Sequence, residues 1–160
     1  MDMGRQPGPL TLSEDDRRVL AVWAADCAER TLSLFETQAP GDTRPRDAID
    51  GVRAFACGDM RIGPVRALSA RAHAAAREVS DPAAVAAARA GGHAAGVAHM
   101  AGHALGAFAY AANAAELAAS DGPLITAGEV QWAQSHASSA VRDALRRLPP
   151  QTRPAGMLTS

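Results

Sequence analysis

The sequence predicts an all-α domain, a compact bundle of five to six helices around an alanine- and glycine-rich central layer. Three observations lead there. Alanine, the best intrinsic helix former, fills 39 of the 160 positions. β-Branched and aromatic residues, which favour strands, occur only in short stretches. Residues 90–115, AGGHAAGVAHMAGHALGAFAYAANAA, hold no Asp, Glu, Arg or Lys but three of the five histidines. In a chain charged elsewhere, such a window has to be buried, inserted in a membrane or pressed against a partner. Burial as the layer on which other helices pack is the reading adopted. One domain suits this length, spanning 12–148 between tails at 1–11 and 149–160 that read as disordered.

The first helix starts after Ser13, a side chain that can cap free backbone amides, and Glu14, Asp15 and Asp16 suit the positive end of the helix dipole. Leu20, Trp23, Cys27, Thr31 and Leu34 recur at three- and four-residue steps and form one apolar stripe, with Arg17, Arg18, Asp26, Glu29 and Arg30 off it. This helix is expected to run on until Pro40-Gly41. A second helix follows, with Thr43 as cap, Pro45 in the first turn, and Ile49, Val52 and Phe55 inward; Gly58 ends it. A third opens at Gly63-Pro64 with Val65, Leu68, Ala72 and Val79 inward, and Arg66, Arg71, His73 and Arg77 on the outside.

Asp81-Pro82 is a restart signal, an acidic cap before a proline at the first helical position. No proline interrupts the chain from there to Ser120, but one helix of that length is long for a small domain. A break is therefore expected near Met100–Gly102. Asp121-Gly122-Pro123 makes a turn. The last helix is placed from Thr126, with Glu129 completing a capping box, to Leu148 before Pro149-Pro150.

The formal net charge is −1, which gives no excess of positive charge for nucleic-acid phosphates. Nor is it the strong acidity expected of a decoy for a basic nuclease. The charge-free window could span a bilayer by length, but Ala and Gly carry little hydrophobicity, and His93, His99, His103 and Asn113 would be costly in hydrocarbon, so no membrane partner is expected. The N-terminus lacks an apolar run behind a basic start, which points to a cytoplasmic protein. Cys27 and Cys57 read as two reduced core thiols.

Four constellations are candidates for chemistry. His99 and His103 are four apart, as in the zinc motif HExxH, but HMAGH lacks the glutamate and no acid lies nearby in sequence to complete a ligand set. No metal or other cofactor is expected. Gly92 and Gly96, then Gly102 and Gly106, follow a small-xxx-small spacing that lets helices approach closely, either within the bundle or along a homodimer seam. Ser135, His136, Ser139 and Asp143 can be drawn as a triad, but they suit a solvated face better. Arg44, Arg46, Asp47, Asp50 and Arg53 crowd one helix start, and form either an internal salt-bridge network or a polar recognition surface.

With these residues in order, DRRVLAVWAADCAERTLSLFE, GDTRPRDAIDGVRAFACGDMRIG and AAARAGGHAAGVAHMAGHALGAFAYAANA, the chain resembles a family of predicted bacterial immunity proteins of polymorphic toxin systems. The resemblance covers roughly residues 13–119. Its most specific pieces are RPRDAI and the block formed by His99, His103, Gly106 and Tyr110. It implies an all-α, non-enzymatic domain whose partner is a cognate toxin, and a helix break between the two histidines. Two other readings stand beside it: a metal- or small-ligand-binding protein using His99 and His103 with His93 or His136, and a self-associating structural domain.

Overall fold

The computed structural model describes residues 7–119 and 122–150, without the side chains of 122–126. Eight helices follow one another among the described residues: α1 Glu14–Glu29, α2 Leu32–Gln38, α3 Arg44–Ala56, α4 Ile62–Arg77, α5 Pro82–Gly96, α6 His103–Ala118, α7 Gly122–Ser135 and α8 Ser139–Arg147. None is long and apolar enough to cross a membrane.

The central layer is α5 and α6, with α4, α3, α1 and α2 packed on α5, and α1 and α7 on α6. Eleven α5 residues are buried, and every one is Ala or Gly. Small side chains on all sides are what allow one helix to be covered by five others. The large buried residues come mainly from the surrounding helices: Leu20, Trp23, Ile49, Val52, Phe55 and Leu145 form one cluster with Phe108 of α6, and Phe35 anchors a second among alanines of α4, α5 and α6.

The caps at Ser13 and Asp81 are as expected, accepting from the amides of Asp16 at 3.1 Å and Ala84 at 3.0 Å. Gly58 adopts the left-handed φ of 84° just past α3. The expected break also occurs: α5 ends at Gly96 and α6 opens at His103. The six residues between are bound from outside. The amides of Ala101 and Gly102 donate to the carbonyls of Thr11 and Leu10, and Arg17 Nε donates to Ala98 O at 2.9 Å. Residues 10–12 are thus docked, whereas 1–6 and 151–160 lie outside the described residues.

The count of five to six helices is corrected by two breaks that carry no Gly or Pro. The first helix stops at Glu29. Arg30 swings out to Glu129 in a bidentate pair at 2.9 and 3.0 Å, and the Thr31 hydroxyl bonds back to Ala28 O. The last helix is also two, because Ser138 caps a new one through the amide of Val141. Thr126 lies inside α7, which begins earlier at Gly122, and Glu129 serves Arg30. Thr43 makes no cap bond to the backbone; its hydroxyl donates to the Asp47 carboxylate. Cys27 is buried as expected, and burial pushes its thiol well up. Cys57 is instead exposed, since it follows the last turn of α3. Arg17 is buried, 8% exposed, although its periodicity placed it outside.

Candidate functional site

Arg44, Arg46 and Arg53 leave α3 toward three neighbours. Arg44 pairs with Asp42 and with Glu78 at the end of α4, Arg46 with Glu36 of α2, and Arg53 with Asp26 and Glu29 of α1. Asp47 stays local with Thr43, and Asp50 is exposed. The expected pairing of Asp47, Asp50 and Arg53 with one another or with Arg46 does not form, because the arginines reach carboxylates on other helices. The guanidiniums hold Glu29, Glu36 and Asp42 below the ordinary carboxylate range, chiefly through these hydrogen bonds.

The second site is built on the central layer. The break after Gly96 folds α6 back along α5, so His103 and Gly106 meet Gly96 and His93. His93 and His103 face each other with Nδ1 atoms 3.1 Å apart, and Tyr110 stacks on the His93 ring at 4.9 Å. His99, in the break itself, lies edge-on to His103 with centroids 5.3 Å apart. A fourth imidazole, His73 of α4, meets His93 at 5.2 Å and accepts a hydrogen bond at Nδ1 from Arg89 Nη1. His99 and His103 therefore come together with His93 although the helix break keeps them off one helical face, because α6 folds back along α5; His136 does not join them. It stacks on Trp132 at 4.1 Å in α7. Asp143 pairs with Arg146, so Ser135, His136 and Ser139 gain no orienting carboxylate from it.

His73 and Arg89 are the members that sequence reasoning missed. The available signal was Arg66, Ala70, His73 and Arg77, one stripe at i, i+4, i+7 and i+11 along α4.

The glycines explain how the rings fit. A Cβ on Gly92 would stand 2.7 Å from the His73 ring, on Gly96 2.8 Å from His103, and on Gly106 2.4 Å from His93 Nδ1. Gly92, Gly96 and Gly106 thus seat imidazoles within the chain, whereas Gly102 lies against Leu10 and Gly91 approaches the backbone at Pro45 O. Gly106→Ala should therefore cost a net of about 1–2 kcal/mol despite the better helix propensity of alanine. In a His93→Ala background the same change should become neutral or stabilising, measured by urea denaturation as a double-mutant cycle. A cost unchanged in that background would sink the seating argument.

The hydrogen bonds define protonation. The His93–His103 contact needs one Nδ1 to donate and the other to accept, and His73 Nδ1, taking a bond from Arg89, is an acceptor. None of the four rings is bonded to a carboxylate among the described residues. Burial, then neighbouring positive groups, pushes His73, His93 and His99 down, with His93 at about 4; burial alone lowers His103. The folded chain thus binds fewer protons than the unfolded chain between the lowered values and the ordinary 6.5. Stability is complete above about pH 6.5 and falls as pH drops toward 4, by on the order of 1–2 kcal/mol for His93 once water screening of this half-buried ring is allowed for. Thermal melts across that window should show a shallower slope for His93→Gln; an unchanged slope would remove this ring from the acid response.

No group of three His, Cys, Asp or Glu side chains converges as a metal site among the described residues. The fold and the site define an all-α domain with a histidine cluster at the seam of its central helices. The chain belongs to the family described as Imm-5 like putative immunity protein, whose model matches residues 10–140. No curated protein and no solved structure matches the chain.

Proposed function

We propose that this chain is an immunity protein that neutralises a cognate bacterial toxin by direct protein contact, in the cytoplasm and without catalysis of its own. The observation that carries this reading is the family match over residues 10–140, which takes in α1 to α7. Exposed Val22, Tyr110 and Leu117 offer apolar anchor points of the kind protein interfaces use. The α3 cluster of Arg44, Arg46, Asp47, Asp50 and Arg53 is less suited to recruit a partner, since its arginines are already matched within the chain and join α3 to α1, α2 and α4.

The test is co-expression with the toxin encoded beside this gene, scored by cell survival and by co-purification of the two proteins. Protection with a stable complex is the expected result; survival no better than an empty control, with no complex, would overturn it. Arg46→Glu and Arg53→Glu should each lower stability by about 1 kcal/mol, or roughly 2–4 °C in Tm, while protection is kept. Lost protection at an unchanged Tm would return the cluster to the binding surface.

A further inference from the structure

We propose that the α4–α6 face, where Arg66, Arg77 and Arg89 surround His73, His93, His99 and His103, is an oxyanion site that takes carboxylate or phosphate oxygens. Arg18, Arg30, Arg44, Arg46, Arg53, Arg146 and Arg147 all pair with carboxylates. No ion pair reaches Arg66, Arg71, Arg77 or Arg89 of α4 and α5 among the described residues, and Arg17 and Arg142 elsewhere bond to backbone carbonyls instead. Arg66, His73 and Arg77 share one stripe of α4, and Arg89 joins it from α5 through His73 Nδ1. That bond uses one of the five N–H donors of Arg89, and guanidinium forks match carboxylate and phosphate geometry.

The charged side chains acting on these rings are of one sign. Arg89 bonds His73, Arg77 lies one turn beyond it on α4, the positive charges of Arg66 and Arg17 act on His99, and neutral Tyr110 stacks on His93. The Nδ1 of His99 is buried with no hydrogen-bond partner, although its ring is only partly covered. A cation would meet a guanidinium 3.1 Å from His73 Nδ1 and no carboxylate to offset it. An anion would meet unmatched donors, and would stabilise an imidazolium that is otherwise disfavoured. Binding is thus coupled to proton uptake, and strengthens as the pH falls from about 7 to about 5.

Isothermal titration of the full chain with inorganic phosphate, and separately with a hexaglutamate peptide, tests this at both pH values, with His Cε1–H NMR signals followed in parallel. Binding that tightens at the lower pH and shifts the His73 and His99 signals is expected. Phosphate alone would identify a free anion as the source, and the peptide alone a protein carboxylate; either supports the site. The exposed double variant Arg66→Gln/Arg77→Gln should bind about tenfold more weakly, with far-UV dichroism unchanged, whereas Arg71→Gln, off the stripe, should bind normally. The proposal is overturned if neither probe binds, if the double variant binds as well as the parent, or if zinc moves the imidazole signals and neither anion does.

Discussion

Trp23→Ala should destabilise the fold by about 3–5 kcal/mol, the largest single-residue effect expected in this chain. Trp23 is 2% exposed on α1, its ring lies 6.3 Å from Phe108 of α6 with nearly parallel planes, and its Nε1–H donates to Ala133 O at 2.9 Å. One side chain therefore joins α1, α6 and α7, and its removal leaves both a large void and a buried carbonyl without its donor. Urea denaturation measures the loss. Trp23→Phe should restore most of the packing but not the bond, leaving a deficit of about 1–2 kcal/mol. A cost below 1 kcal/mol for the alanine variant would mean that α7 is held by other contacts, with the Arg30–Glu129 pair and the Arg30 guanidinium over Trp132 at 4.1 Å as the candidates.

Arg17→Ala should cost about 2–4 kcal/mol. Its Nε closes the open carbonyl of Ala98 beyond the end of α5, where a positive charge also suits the helix dipole. Its Nη1 donates to Leu12 O at 2.8 Å. Leu12 has a φ of 55°, a region costly for a side-chain-bearing residue, so the bond also holds a strained residue in place. Arg17→Lys should recover less than half of the loss, because one ammonium does not reproduce a fork that spans two segments. Full rescue by lysine in thermal melts would refute this account.

Arg17 also shows where the sequence was legible and where it was not. Helices with chemical stop and start signals were readable: the Ser13 and Asp81 side chains accept from amides three residues on, and Gly58 acts through its own backbone geometry. So was the break before His103, since the 82–120 segment was too long to remain one helix. The break at Arg30–Thr31 was not readable, because no Gly or Pro marks it and the partner of Arg30 there, Glu129, is 99 residues away. Ser138 was hidden for a related reason: a serine in a helical pattern becomes a cap only once the chain turns there. At the histidine cluster His99 and His103 could be singled out from their four-residue spacing and His93 only as a possible recruit, while His73 and Arg89 could not be named, because membership depends on how α4 lies across α5. The roles of Gly92, Gly96 and Gly106 needed the same information: spacing marked close approach, and only the fold revealed rings as what approaches.

The all-Ala and Gly interior of α5 sets the direction in which this protein can vary. A buried leucine can shrink by several methylenes, but a buried alanine has one methyl to give up and no room to gain one. Mutational drift along α5 is therefore nearly closed from above, and at Gly92 and Gly96 from the first carbon onward. New specificities within such a lineage would have to be written on the outer faces of α1, α4, α7 and α8, while the middle helix stays as a fixed gauge of how near the others may come.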